Sequence, residues 1–188
     1  MLRYLRGEAG AAPRPALFLD RDGVLNRHIV DGYVVTPADF EPIDIAVGAA
    51  AAARELGAAL VVVTNQGLIG RELSTESDLM VINGLLLAAL AERGIFLDGI
   101  YMCPHHPMAP DPTQRDCGCR KPKPGMILAA ARDLNLDLGR SLFIGDQPSD
   151  IAAARAAGIV DARALLVGED AHVDAAQFVR DAWQTTAS

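Results

Sequence analysis

Short apolar runs alternate with helical patterns along the 188-residue chain, and this predicts an α/β fold: a doubly wound parallel sheet with helices on both faces. Two further observations support it. Three apolar runs end abruptly in polar residues, at Asp20, Thr64 and Asp146, as strands do where a parallel sheet opens onto a site. Hydrophobic residues make up 51% of the chain and aromatics only 5%, a mix that favours closely packed helices over an aromatic-rich all-β core. The length suits a single domain over residues 1–188, with its core over about residues 16–168.

In order along the chain, residues 16–20 read as a short buried strand. "AVGAAAAARELGA", 46–58, reads as a helix stopped by Gly57, and "ALVVVTNQ", 59–66, is the strongest strand signal. "STESDLMVINGLLLAALAERG" is a helix capped by Ser74 or Thr75, with acids in its first turn. "IFLDGIYMC", from Ile95, reads as a strand. Residues 103–124 hold six of the eleven prolines, so a loop is expected there. "PGMILAAARDLNL" opens a helix with Pro124 near its start, and "SLFIGD", 141–146, is again a strand. A short helix "SDIAAARAAG", a strand "RALLVG", a closing helix "AAQFVRDAW" and a frayed tail complete the pattern.

Composition narrows the function. A formal net charge of −7 argues against a broad nucleic-acid-binding face. No apolar run approaches the ~20 residues that span a bilayer, and the N-terminus lacks the apolar stretch of a signal peptide. A cytoplasmic monomer with no nucleic-acid or membrane partner is expected.

Two acids, Asp20 and Asp22, stand at the end of the first apolar run with Gly23 behind them. Carboxylates gathered at one sheet edge are unfavourable unless a cation neutralises them. All-oxygen ligation at an open site suits Mg²⁺, with Asp20 and Asp146 as ligands. Lys121, the Thr64 hydroxyl and the backbone N–H groups of Asn65 and Gln66 could cradle phosphate oxygens. The chain has two lysines, Lys121 and Lys123, against fifteen arginines, so each invites the question of a required point charge. An ionised aspartate beside such a phosphate is a candidate nucleophile, and a second carboxyl can act as acid and then base. Taken singly these motifs read equally well as turns; "GDQPSD" alone is also a helix start capped by Ser149 or Asp150.

The three cysteines lie within one short segment. Cys103, His105, Cys117 and Cys119 supply three thiolates and an imidazole, a set that fits closed, structural tetrahedral Zn²⁺. Spacing leaves open whether His105 or His106 binds. The ion would fasten the proline-rich loop and so place Arg120 and Lys121. His28 and His172 read as ordinary surface residues.

In combination and in this order, "FLDRDGVLN", "VVVTNQ", the lysine of "CRKPKPG" and "IGDQPSD" resemble the four motifs of the haloacid dehalogenase-like phosphohydrolases. The joint pattern of "CPHHP" and "CGCRKPKPGM" is similar to their zinc-containing branch without a large cap domain, which acts on heptose bisphosphates and histidinol phosphate. The resemblance implies a Rossmann-like core, Asp20 as the nucleophile that becomes an aspartyl phosphate, and Asp22 as acid and then base. It implies Mg²⁺ held by Asp20, the Asp22 backbone carbonyl and Asp146, with Thr64 and Lys121 on the transferring phosphoryl group. It favours His105 as the zinc ligand. It gives Arg120 the distal part of the substrate, and puts Asn26, Asp31, Gly32, Tyr33, Asn65, Gln66, Gly67 and Gln147 among the substrate contacts. Gln147 departs from the lysine often found there in heptose enzymes. The implied substrate is a phosphorylated sugar, heptose 1,7-bisphosphate cleaved at C7, ahead of histidinol phosphate or another small phosphate ester. A different class, a phosphoaspartate receiver or a zinc-stabilised binding module, would share the acidic pocket but gain nothing from Asp22.

Overall fold

The computed structural model describes residues 1–168 and 174–184; His172 and the tail expected to fray lie outside them. The described chain forms six strands: β1 (Leu2–Leu5), β2 (Ala16–Leu19), β3 (Ala59–Asn65), β4 (Gly99–Cys103), β5 (Leu142–Gly145) and β6 (Ala164–Leu166). Its α-helices are α1 (Val47–Glu55), α2 (Glu76–Ala91), α3 (Gly125–Leu134), α4 (Pro148–Ala156) and α5 (Ala175–Gln184). The strands make one sheet in the order β1-β4-β3-β2-β5-β6.

Five strands are parallel, as the βα alternation predicts, but β1 is an antiparallel edge that the sequence reading passed over. It pairs with β4, Leu2 opposite Met102, and turns Leu2 and Tyr4 towards the core and Arg3 and Leu5 to water. That period-2 alternation is what a one-sided edge strand requires. The fourth strand also begins at Gly99 rather than Ile95. Just before it, the buried Asp98 accepts bonds from Arg14, Arg54 and the Leu60 N–H, a polar anchor that ends the preceding loop.

The central strands are buried on both faces, which explains their unbroken apolar runs. Leu17, Leu19, Leu60 and Val62 point into a core shared with α1, α2 and α5. Ala16, Phe18, Val61 and Val63 point into the opposite core, under α3 and α4. Each fully buried Leu, Val or Phe contributes about 1.5–3 kcal/mol. The Phe18 and Phe143 rings stack with centroids 6.5 Å apart and tie β2 to β5. The helices lie close because their inner faces are alanine: Ala49, Ala50 and Ala53 on α1, Ala129 and Ala130 on α3, Ala153 and Ala154 on α4.

This topology positions the site. From β2 the chain builds outward through β3 and β4, then returns to the other side of β2 for β5 and β6. The order therefore reverses between β2 and β5, and in open α/β sheets ligands bind beyond the strand ends at that reversal. Asp20 follows β2 and Asp146 follows β5, so the two acids straddle it. No large cap intervenes among the described residues between β2 and β3, where only a short turn of helix, Pro37–Asp39, and α1 are found.

Candidate active site

Asp20, Asp22, Thr64, Lys121 and Asp146 all line one cavity of about 230 Å³ at the sheet's carboxyl edge. Lys121 reaches it from the proline-rich loop. Its ammonium lies 2.8 Å from Asp20 Oδ1 and 2.7 Å from Asp150 Oδ1, and donates to the Val63 carbonyl at 2.9 Å. The loop is pinned at that point by Asn65, whose amide accepts the Lys121 N–H and donates to the Lys121 carbonyl.

Asp150 is a residue that the sequence reading weighed only as a helix cap. The helix is in fact preceded by Gln147, and Asp150 stands in its first turn with Oδ2 accepting the N–H groups of Asp146 and Gln147. That bond turns Asp150 into the cavity floor, fully buried. Gly145 is demanded by it, since a Cβ there would lie 2.6 Å from the Asp150 Cγ. The spacing GD-x-x-x-D was the available signal.

Carboxylate oxygens of Asp20, Asp146 and Asp150 come within 4.8 Å of one another. Burial pushes Asp20 up to about 7; Lys121 opposes this, while Asp150 and Asp22 add to it. Burial also raises Asp146, with Gln147 opposing and Asp150 reinforcing. Fully ionised, the three carboxylates would exceed the one ammonium by two negative charges, an excess that adds to the hold of Asp20 and Asp146 on their protons, and the buried Asp146 Oδ1 has no hydrogen-bond partner. That donor set fits a hard divalent cation with oxygen ligands. Gly23 makes room for it: at φ +83 it takes the left-handed conformation, and a Cβ there would lie 2.6 Å from the Asp146 Cγ.

Asp22 is framed differently. Arg21 grips both its oxygens, and Asn26 Nδ2 and Gln66 Nε2 donate to them at 2.9 and 2.8 Å. Burial opposes its charge, but the Arg21 charge and these donors outweigh burial and hold the carboxyl below its usual range. Gln66 also donates to the Thr64 hydroxyl at 2.9 Å, linking the ends of β2 and β3.

Of the expected substrate contacts, Gly32, Tyr33, Asn65, Gln66, Arg120 and Gln147 line the cavity; Asn26, Asp31 and Gly67 do not. Asn26 is fully buried and donates to Asp22. Asp31 is exposed in a left-handed turn. Gly67 acts by absence: a Cβ there would lie 2.7 Å from the His106 ring and 3.1 Å from Arg120 Nη1. His28, read as plain surface, lines the cavity and lies close enough to Asp146 to favour its ionised form. Gln147 donates to Asp146 Oδ2 at 2.9 Å, a neutral contact.

Arg71 was not singled out in the sequence at all. Its guanidinium lies 5.8 Å from the Tyr33 ring centroid and donates to the Tyr33 hydroxyl. Arg120 donates to the His105 carbonyl. Between them, burial and the charges of Arg120 and Arg71 lower the pKa of His106. Among the described residues neither arginine has a carboxylate partner; Arg120 lines this rim of the cavity, and Arg71 stands behind its Tyr33 wall.

The cysteine cluster is assembled beside this rim. Cys119 Sγ lies 3.3 Å from Cys103 Sγ, 3.4 Å from Cys117 Sγ and 3.3 Å from His105 Nδ1. Donors bound to a tetrahedral zinc at ordinary bond lengths stand roughly 3.5–3.8 Å apart, so the four atoms are already close to that arrangement. His105 is the histidine that stands with the thiols, whereas His106 Nδ1 accepts the Met108 N–H. The shared thiol bond lowers the Cys119 pKa to about 5, and the same bond with burial raises Cys103. No described helix is long and apolar enough to cross a membrane.

Residues 118–182 match the HAD-hydrolase-like family. Over 164 residues the chain is 42% identical to the D-glycero-β-D-manno-heptose-1,7-bisphosphate 7-phosphatase of Photorhabdus laumondii, covering 87% of this chain and 86% of that one. A solved HAD-like protein of Mesorhizobium loti superposes with a TM-score of 0.83 at 34% identity, covering 96% and 89% of the two chains. A D,D-heptose 1,7-bisphosphate phosphatase from B. bronchiseptica, complexed with magnesium and phosphate, gives 0.74 at 30% identity, covering 91% and 99%.

Proposed function

We propose that this chain, which belongs to the HAD-like phosphatases and is a phosphoric monoester hydrolase, removes the C7 phosphate of D-glycero-D-manno-heptose 1,7-bisphosphate. The observation that carries the reading is the convergence of Asp20, Asp22, Lys121 and Asp146 on one cavity that Arg120 also lines, with Arg71 behind its Tyr33 wall.

Asp20 attacks the C7 phosphorus and forms an aspartyl phosphate while the P–O bond to the sugar breaks. Asp22, which its donors keep ionised in the empty site, takes up a proton carried in by the substrate's phosphate, gives it to the departing C7 oxygen, then takes one from the water that hydrolyses the intermediate, so the products are heptose 1-phosphate and phosphate. Lys121 and the Thr64 hydroxyl hold phosphoryl oxygens, and positioning with charge neutralisation does most of the work. Asp20, Asp146 and the Asp22 backbone carbonyl would hold Mg²⁺, which when bound neutralises charge on the transferring group. Asp150 completes the acidic floor and shares Lys121 with the nucleophile. Cys103, His105, Cys117 and Cys119 would hold structural Zn²⁺, which fixes the loop that presents Arg120 and Lys121.

Substrate choice rests on the rim. Arg120 and Arg71 offer two planar forks to the phosphate that is not cleaved. Histidinol phosphate, the second reading, would bring a cationic amine to the same charges and be disfavoured. A phosphoaspartate receiver has no use for Asp22, which here is held at the cavity by hydrogen bonds from Arg21, Asn26 and Gln66.

The test is phosphate release from heptose 1,7-bisphosphate, fructose 1,6-bisphosphate and histidinol phosphate. A kcat/KM highest on the heptose is expected; equal values on all three would defeat the substrate assignment.

A further inference from the structure

Arg21 takes no part in the steps above, yet it is the largest fully buried side chain of the described residues. An enclosed guanidinium is costly to bury, and a well-packed apolar residue in its place is often neutral or stabilising. Its contacts are unusually directed. Nη2 donates to Asp22 Oδ1 and Oδ2 at 3.0 and 3.1 Å, and Nε donates to Oδ1 at 3.3 Å. On its other side Nη1 donates to Asn83 Oδ1 at 3.4 Å.

Asn83 is itself out of place by composition. It is a buried amide on α2, among Leu79, Ile82, Leu86 and Leu90. Apart from Arg21 its side chain meets the Met102 sulfur of β4, 2.9 Å from Nδ2. A polar relay therefore runs from β4 through α2 to the carboxylate at the end of β2. The Arg21 carbonyl also accepts the N–H groups of Leu25 and Asn26, so the turn carrying Asp22 closes on the same residue.

We propose that Arg21 is a positioning residue, a planar fork that aims the Asp22 carboxyl at the leaving-group oxygen, and that Asn83 fixes the fork from α2. This rests on the reading of Asp22 as the group that protonates the leaving oxygen. Arg21 is fully buried and does not line the cavity; it acts through Asp22, and its rigidity suits the task better than a lysine's flexible stem. Asn26 and Gln66 close the remaining sides of the frame.

Leaving-group dependence tests it. kcat/KM reports the transfer from substrate to Asp20, where a sugar alkoxide needs a proton and p-nitrophenolate does not. Arg21→Met is expected to lower kcat/KM on the sugar bisphosphate on the order of 100-fold, the range of lost general-acid catalysis. On p-nitrophenyl phosphate its loss stays under about tenfold. Arg21→Lys falls between Arg21→Met and the parent on the sugar. Asn83→Leu, whose melting temperature is measured in parallel, gives a smaller split in the same direction, and carries the test if Arg21→Met does not fold. Asp22→Asn is the control and must show the largest split. Equal losses on both substrates in the Arg21 and Asn83 variants, with Asp22→Asn split, would overturn the role of Arg21 alone. No split in Asp22→Asn would overturn the role of Asp22 and this inference with it.

Discussion

Lys121 and Asp150 form a 2.7 Å ion pair with both side chains almost wholly enclosed, and the same ammonium lies 2.8 Å from Asp20. The lysine thus makes a cluster of acids tolerable. Burial works against its charge, but Asp20 and Asp150 outweigh burial and raise its pKa. Lys121→Met removes that cation and leaves the acids unpaired. Breaking a buried pair costs about 3–5 kcal/mol, so denaturant unfolding without metal should show a loss of that order. Added Mg²⁺ should recover part of it, while phosphatase activity stays at least about 100-fold down. Unchanged stability would mean that the acids are neutralised some other way.

Two glycines separate backbone strain from site geometry. Gly57 and Gly23 both hold positive φ, +76 and +83, but a Cβ on Gly57 meets nothing within 4 Å whereas one on Gly23 runs into Asp146. Gly57→Ala should cost about 1–2 kcal/mol, the left-handed penalty, and leave Mg²⁺ affinity unchanged. Gly23→Ala should cost at least as much and weaken Mg²⁺ binding by on the order of tenfold or more, because it displaces a carboxylate. Thermal unfolding and Mg²⁺ titration of both proteins measure the contrast.

The rim arginines predict a selective defect. Arg71→Ala or Arg120→Ala should raise KM for the bisphosphate about ten- to a hundredfold, the value of one or two charge-assisted bonds. With heptose 7-phosphate, which has no second phosphate, the same variants should behave like the parent. Equal losses on both substrates would show that the arginines shape the loop without reading the phosphate.

The thiol cluster predicts metal dependence of the loop it ties. Protein purified without chelator should carry about one zinc per chain, the content of a closed four-donor site. Cys117→Ser, or prolonged chelation, should release the metal, open the 103–124 segment to protease and lower activity, because Arg120 and Lys121 directly follow Cys119. Mg²⁺ should not restore protection. Retained protease resistance without zinc would assign the segment's order to its own contacts.

Much of this was legible in the residues themselves. The period of the apolar runs gave the parallel sheet, because a strand buried on both faces must be apolar at every position. The thiols of Cys103, Cys117 and Cys119 could be read as one site because they are close along the chain, and ligand spacing is a local property. Asp20 and Asp146 stood out because a polar residue at the abrupt end of such a strand must lie at its mouth. β1 was passed over because its four residues offer only a weak alternation, which becomes a strand when the edge of β4 supplies partners.

What only the tertiary structure decided is partnership. Arg21 meets Asn83 across sixty-two positions, Asn65 meets Lys121 across fifty-six, and Asp150 enters the acidic floor through the phase of α4. No local pattern encodes these, because they depend on which strands adjoin β2 and how each helix is turned when it packs. The sequence alone determined the chemical groups at the strand ends; folding decided which stand near enough to share a proton, a cation or a phosphate. The reason is range: hydrogen bonds and ion pairs act within a few ångströms, a scale that only packed elements bring about.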